Sequence, residues 1–133
     1  MISEADLLAK VPRGLYIDGQ WVDAEGGATM TVSDPSNGEV LAEIASASVA
    51  DAKKAMDAAA NAQASWAATA PRVRGEILRK AWELVIERAD EFALLMTLEM
   101  GKPLAESRGE VTYGAEFLRW FSEEAVRITG RFG

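Results

Sequence analysis

Residues 98–130 read LEMGKPLAESRGEVTYGAEFLRWFSEEAVRITG, and the way this stretch divides into a helix end and a helix start decides the fold. Gly101 stands where a helix closes in a left-handed residue, and Pro103 follows where a helix cannot continue. A new helix is expected from about Leu104 to Thr129. In it Val111, Gly114, Leu118, Phe121, Ala125 and Ile128 recur at steps of three and four, the stripe a helix turns toward a core. Tyr113, Phe117 and Trp120 make a second stripe, roughly 90° round the helix. Glu116, Arg119, Glu123 and Arg127 take the remaining face, where they can pair one turn apart. A helix apolar over so wide an arc is packed on two sides, or is packed on one and lines a cavity with the other.

Upstream of Gly101 the period is also helical. Ser48 and Asp51 have the spacing of a capping box, and the helix they start is Ala-rich to about Thr69, with Ala52, Met56, Ala59, Gln63 and Trp66 along one side. Small residues there suit close approach to another backbone. Pro71 opens the next helix at a position where its missing N–H costs nothing. Ile77, Leu78, Ala81, Trp82, Val85, Ile86 and Ala89 form its apolar stripe. Asp90 is placed to cap a continuation with Phe92, Leu95, Met96 and Leu98 inward, and Arg88–Asp90 is either a break or a bend.

Before Ser48 the period is two. Tyr16-Ile17 and Gln20-Trp21-Val22 flank Asp18-Gly19, a pair that tolerates a type I′ turn, so a small hairpin is predicted. Residues 23–29 read as a loop. A second hairpin takes Met30-Thr31-Val32, the turn DPSNG, and Glu39–Ala45, with Val40, Ala42 and Ile44 on one face. Residues 1–14 are a lead-in with no more than one loose helical turn, punctuated by Pro12 and Gly14. The chain itself therefore reads as mostly α, with two small β-hairpins (15–45) preceding three to four helices (48–129).

Composition removes whole classes of chemistry. Among 133 residues there is no Cys and no His, which excludes a thiolate nucleophile, a disulfide framework, a Cys/His zinc site and a Ser-His-Asp triad. A net charge of -7 argues against nucleic acid as a partner, since that surface must be basic. No apolar run is long enough to span a membrane. The start, MISEADLLAK, lacks the basic-then-apolar order of a signal peptide, and a cytoplasmic location is expected.

Single residues carry two readings each. Tyr113, Phe117 and Trp120 can line a substrate tunnel, although an aromatic stripe at helical spacing is more often core. Arg119 can hold a carboxylate, although its flanking Glu116 and Glu123 make a surface pair the commoner role. Glu99 can serve a cation or a proton, although a carboxylate near a helix end is usually solvated. On residues alone the chain is not read as an enzyme.

From Leu15 to Gly130 the chain resembles the N-terminal region of the NAD(P)-dependent aldehyde dehydrogenase superfamily. The stretches that carry the resemblance come in order: YIDGQWVDA (16–24), VSDPSNGEVLAEI (32–44), SWAATAPRVRGEILRKAWELV (65–85) and LEMGKP (98–103). The closing GEVTYGAEFLRWFSEEAVRITG (109–130) is most similar to the succinate-semialdehyde dehydrogenase branch. The resemblance covers nearly all of this chain but roughly a quarter of a usual member. It implies that residues 15–133 are an incomplete N-terminal part of an α/β cofactor-binding domain. In that family a Cys attacks the aldehyde, a Glu acts as base, an Asn and a backbone N–H steady the oxyanion, and a Rossmann-like sheet holds NAD or NADP; all lie downstream of the matched region. No catalytic or cofactor-binding residue is thus expected in this chain, and no cofactor for it alone.

Three carry-overs are implied. Tyr113 matches a position lining the substrate entry tunnel, and Phe117, one turn on, shares that wall. Glu99 matches an acidic position that helps hold a structural monovalent cation, with backbone carbonyls around Val32 and Ser33 completing the site. The expected partners are the remainder of an aldehyde dehydrogenase chain and, at full length, further copies in a homo-oligomer. A different class of reading stays beside this one: a stand-alone helical interaction module without catalysis. A third is a chain that complements a separate catalytic chain.

Overall fold

The computed structural model describes residues 2–128 and 130. Its order is α1 (Glu4–Lys10), β1 (Leu15–Ile17), β2 (Gln20–Val22), a short 3-10 turn (Glu25–Gly27), β3 (Thr29–Ser33), β4 (Val40–Ala45), α2 (Val49–Ala68), α3 (Pro71–Glu87), α4 (Ala89–Met100) and α5 (Leu104–Glu124). The architecture is mostly helical, with two separate two-stranded antiparallel sheets ahead of the long helices, as the periodicities predict. Contacts group the chain into two compact units. One takes α1, both hairpins, nearly all of α2 and the Leu98–Gly101 end of α4; the other takes α3, the rest of α4 and α5.

In the first unit the lead-in is better built than its sequence suggests. Ser3 Oγ accepts the Asp6 N–H at 3.1 Å, acids occupy the first turn and Lys10 the last, and Leu7 is buried. The first hairpin turns at Asp18 (φ 51°) and Gly19 (φ 77°), the positive-φ pair that a two-residue turn demands. It sets Tyr16 opposite Trp21, with ring centroids 5.1 Å apart. The second hairpin pairs Thr29 with Ala45 through to Ser33 with Val40, with a bulge at Val32/Ser33. The segment expected to be a plain loop contains the 3-10 turn, and Ala24 beside it is buried.

The reason is Asp51. Its Oδ2 accepts from the Ser48 N–H and Oγ and from the Glu25 N–H, each at 2.9 Å, while Ser48 Oγ accepts the Asp51 N–H at 3.1 Å. The capping box is present as predicted, and it also ties the 3-10 turn to the start of α2. These backbone donors, Ser48 first and then Glu25, hold the Asp51 carboxyl below its ordinary range. Because Asp51 is buried, the rotation of α2 is set by it: Asp51, Ala55 and Ala58 turn inward. The expected stripe of Ala52, Met56, Ala59, Gln63 and Trp66 is on the exposed side instead, with Met56 72% exposed.

In the second unit α3 and α5 pack against each other. The approach is closest at Gly75, where a Cβ would stand 2.8 Å from the Ser122 carbonyl oxygen. Leu78, Ala81, Trp82, Val85 and Ala89 are partly buried as predicted, whereas Ile77 and Ile86 are exposed. Arg88 ends α3 with non-helical dihedrals, so the joint to α4 is a break. Asp90 is not its cap: it lies inside α4 and accepts from Arg108 Nε at 2.9 Å. In α4 Ala93 is buried in this unit and Leu98 in the first, and Phe92, expected inward, is 39% exposed. Gly101 ends α4 at φ 68°.

Helix α5 differs most from expectation. Its buried stripe is Ser107, Val111, Ala115 and Ser122, with Leu118 half-buried. Ser107 is fully buried and shares a hydrogen bond with Thr97 Oγ1 at 3.0 Å, so a hydroxyl pair takes a place that apolar periodicity assigns elsewhere. Gly114 and Phe121 are exposed, not inward. The helix ends at Glu124, and Ile128 beyond it is exposed. The expected end at Thr129 lies outside the described residues. Small buried residues are the physical cause: α3 approaches α5 at Gly75 and Ser122, too near for an aromatic ring between them.

Candidate functional site

The stripe that faces inward leaves the aromatics on the other side of α5. Tyr113, Phe117, Trp120 and Phe121 are all at least half exposed. With Glu116 they line an open groove of about 350 Å³. Tyr113 and Phe117 meet edge to face, ring centroids 5.2 Å apart and planes at 89°, the arrangement that the ring quadrupoles favour. All five residues lie on one helix, so α5 forms a single wall. Contiguous exposed aromatic surface of this kind marks a face made for contact.

The two tunnel residues predicted from sequence, Tyr113 and Phe117, are brought together here. Trp120, the third member of the aromatic stripe, belongs to the same wall, and Phe121 joins it although its spacing had placed it in the core. The missed signal was the small-residue run at Ser107, Ala115 and Ser122, which marks the true contact stripe. Glu116 is the one carboxylate on the groove, and Arg119 lies 3.6 Å from it and 3.6 Å from Glu123. The Arg119 guanidinium also sits 5.8 Å from the Trp82 ring. Its charge is met locally. Such a wall can hold an apolar chain and exclude water; Glu116 and the Tyr113 hydroxyl are polar groups on it.

The proposed cation ligands lie in the first unit. Val32 and Ser33 flank the bulge at the end of β3, and Glu99 is exposed in the last turn of α4. The end of α4 is near the β3–β4 turn, because a Cβ on Gly101 would stand 3.0 Å from Pro35 Cγ. Carbonyls and a carboxylate are hard oxygen donors of the kind a hard cation takes, and a bulge leaves backbone groups unpaired. No cluster of three or more acidic, His or Cys side chains suited to a metal occurs among the described residues.

The start of α2 does not fit the phosphates of a dinucleotide. A phosphate seat needs free N–H groups at a helix start, usually after a parallel strand and a glycine-rich turn. Here both sheets are antiparallel, the joint from β4 to α2 has no glycine, and the start of α2 already holds the Asp51 carboxylate. Among the described residues no helix is long and apolar enough to cross a membrane.

A family model described as the aldehyde dehydrogenase family matches residues 21–132. A succinate-semialdehyde dehydrogenase of Paenarthrobacter nicotinovorans is 69% identical over 93 residues, covering 70% of this chain and 21% of that protein. A succinate-semialdehyde dehydrogenase of Escherichia coli strain K12, designated for NADP(+), is 43% identical over 114 residues, covering 86% and 24%. Among solved structures, an aldehyde dehydrogenase from Brucella melitensis biovar abortus 2308 aligns with TM-score 0.90 and 46% identity over 98% of this chain and 27% of that one. A betaine aldehyde dehydrogenase from Staphylococcus aureus in complex with NAD+ aligns with TM-score 0.89 at 29% identity, over 92% and 25%. The chain thus spans about a quarter of the length of the relatives it matches.

Proposed function

Since the chain belongs to the aldehyde dehydrogenase family, we propose that it is the N-terminal portion of an NAD(P)-dependent enzyme that oxidises succinate semialdehyde, or a close semialdehyde, to the carboxylate. The observation that supports the substrate class is the 69% identity over 93 residues to one succinate-semialdehyde dehydrogenase; two glutarate-semialdehyde dehydrogenases at 45%, beside the 43% of the Escherichia coli succinate enzyme, keep a close semialdehyde within the reading. These 133 residues alone turn nothing over: the chain has no Cys for thiohemiacetal chemistry.

In this reading α5 supplies one wall of the substrate entry. Tyr113, Phe117 and Trp120 flank the aliphatic chain of the aldehyde and keep water from it, while the reacting atoms belong to the remainder of the enzyme. Glu99, with the carbonyls of Val32 and Ser33, holds a structural monovalent cation. The partners are the remaining three quarters of a dehydrogenase and, at full length, further copies of it, in the cytoplasm.

The test joins this chain to the part of the Escherichia coli enzyme that follows its matched region. The fusion is expected to reduce NAD+ or NADP+ with succinate semialdehyde, and the 133-residue chain alone is not. A folded fusion that oxidises other aldehydes but ignores semialdehydes sinks the substrate assignment. In the active fusion Tyr113→Ala should raise KM for the semialdehyde about tenfold, the loss of one aromatic contact of about 1.4 kcal/mol, with a smaller change in kcat.

A further inference from the structure

The chain has two asparagines, Asn37 and Asn61, and only Asn37 precedes a glycine. Asn37-Gly38 sits in the exposed turn between β3 and β4, and Gly38 has a φ of 77°. We propose that Asn37 is a spontaneous deamidation site whose reaction is held back by the folded turn.

The chemistry is intramolecular. The backbone nitrogen of Gly38 loses its proton and attacks Cγ of Asn37. The new C–N bond closes a succinimide as ammonia leaves with that proton, and water then opens either carbonyl to an aspartyl or an isoaspartyl residue. Glycine permits the attack because no side chain crowds its nitrogen. Asn61 is followed by Ala62 inside α2, where the methyl and the helix both oppose it.

The turn occupies both reacting groups. The Gly38 N–H donates to the Asp34 carbonyl at 2.7 Å, so the nucleophile is engaged. The Asn37 Oδ1 accepts the Glu39 N–H at 2.7 Å, which ties the amide into the turn. The Asp34 N–H donates to the Glu39 carbonyl at 2.8 Å, and its own Oδ1 accepts the Ser36 N–H at 2.7 Å. Deamidation therefore waits on local opening of this turn. Its isoaspartyl product would lengthen the backbone by one methylene beside Val32 and Ser33 and loosen the hairpin.

The experiment incubates the 133-residue chain at mildly alkaline pH, with and without denaturing urea, and follows both asparagines by peptide mass and isoaspartyl content. In urea Asn37 should convert well before Asn61. Without urea Asn37 should convert at least about tenfold more slowly, the ratio an opening costing about 1.4 kcal/mol produces. Amide exchange at Gly38 on the same sample should show matching protection. Asp34→Ala should speed conversion in the native sample and leave the rate in urea unchanged. Equal conversion of Asn37 and Asn61 in urea overturns the site. A protected Gly38 amide with no slowing of Asn37 overturns the gate, and that arm stands even if the Asp34 variant fails to fold.

Discussion

Asp51 and Trp82 show opposite ways of burying a polar group. Asp51 is surrounded by donors: two backbone N–H groups and the Ser48 hydroxyl, with Lys54 Nζ 3.9 Å away. Its carboxyl is held below the ordinary carboxylate range in the folded chain by these backbone donors, so its charge favours folding above the unfolded value. The contribution is lost as pH falls through the lowered folded value. Thermal melts taken from neutral pH down through the ordinary carboxylate range should show an acid loss of stability that Asp51→Asn lacks, while that variant melts lower at neutral pH. Trp82 has the reverse problem, since its indole Nε1 is buried and meets no acceptor among the described residues. Its ring is compensated from outside by the Arg79 guanidinium at 5.0 Å. Trp82→Phe removes the orphan donor, worth about 1–3 kcal/mol, and gives up some buried surface. A net change within about 1 kcal/mol is expected from urea denaturation; a much larger loss would show that the indole N–H is satisfied in solution. Neither residue was legible as special in sequence beyond the capping-box spacing of Asp51, because the Glu25 donor is remote along the chain.

Between helices, the decisive fact is how near α3 comes to α5. Gly75 has no room for a Cβ against the Ser122 carbonyl, and Val126 and Ala125 close the same spot at 3.7 and 3.8 Å. Gly75→Ala must push backbone against backbone, and it is expected to cost about 1–3 kcal/mol in chemical denaturation. Gly114→Ala on the exposed side of α5, where a Cβ meets nothing, should instead stabilise by up to about 1 kcal/mol, because alanine is the better helix former. If both glycines responded alike, the close approach would not be what sets the pairing. The apolar periodicity of α5 places Val111, Leu118 and Ala125 inward, where they are, and also Gly114, Phe121 and Ile128, which are exposed. Helix existence, the Gly101 stop and the capping start of α2 were legible because they depend on neighbours in sequence. Which face turned inward was not, because it depends on the partner helix.

Each compact unit carries apolar surface that it does not cover. Met56 and Trp66 on α2 are exposed in the first, and Tyr113, Phe117, Trp120 and Phe121 on α5 in the second. A self-sufficient module would bury such faces, so the 133-residue chain should bind a dye specific for apolar surface, and Phe117→Ser with Trp120→Ser should lower that binding without lowering the melting temperature. A monodisperse chain with a cooperative melt and no dye binding would favour an independent interaction module over a portion of an enzyme. The sequence by itself determined the order of the hairpins and long helices, both hairpin turns, the Gly101 stop and the family resemblance, since each rests on local stereochemistry or on the order of short stretches. Tertiary structure decided that the aromatic stripe of α5 lies on its exposed face and not in the contact with α3. The physical reason is distance: Gly75 and Ser122 bring two backbones together, small side chains fill the contact, and the rings are left on the open face, where Phe121 joins the groove that Tyr113 and Phe117 define.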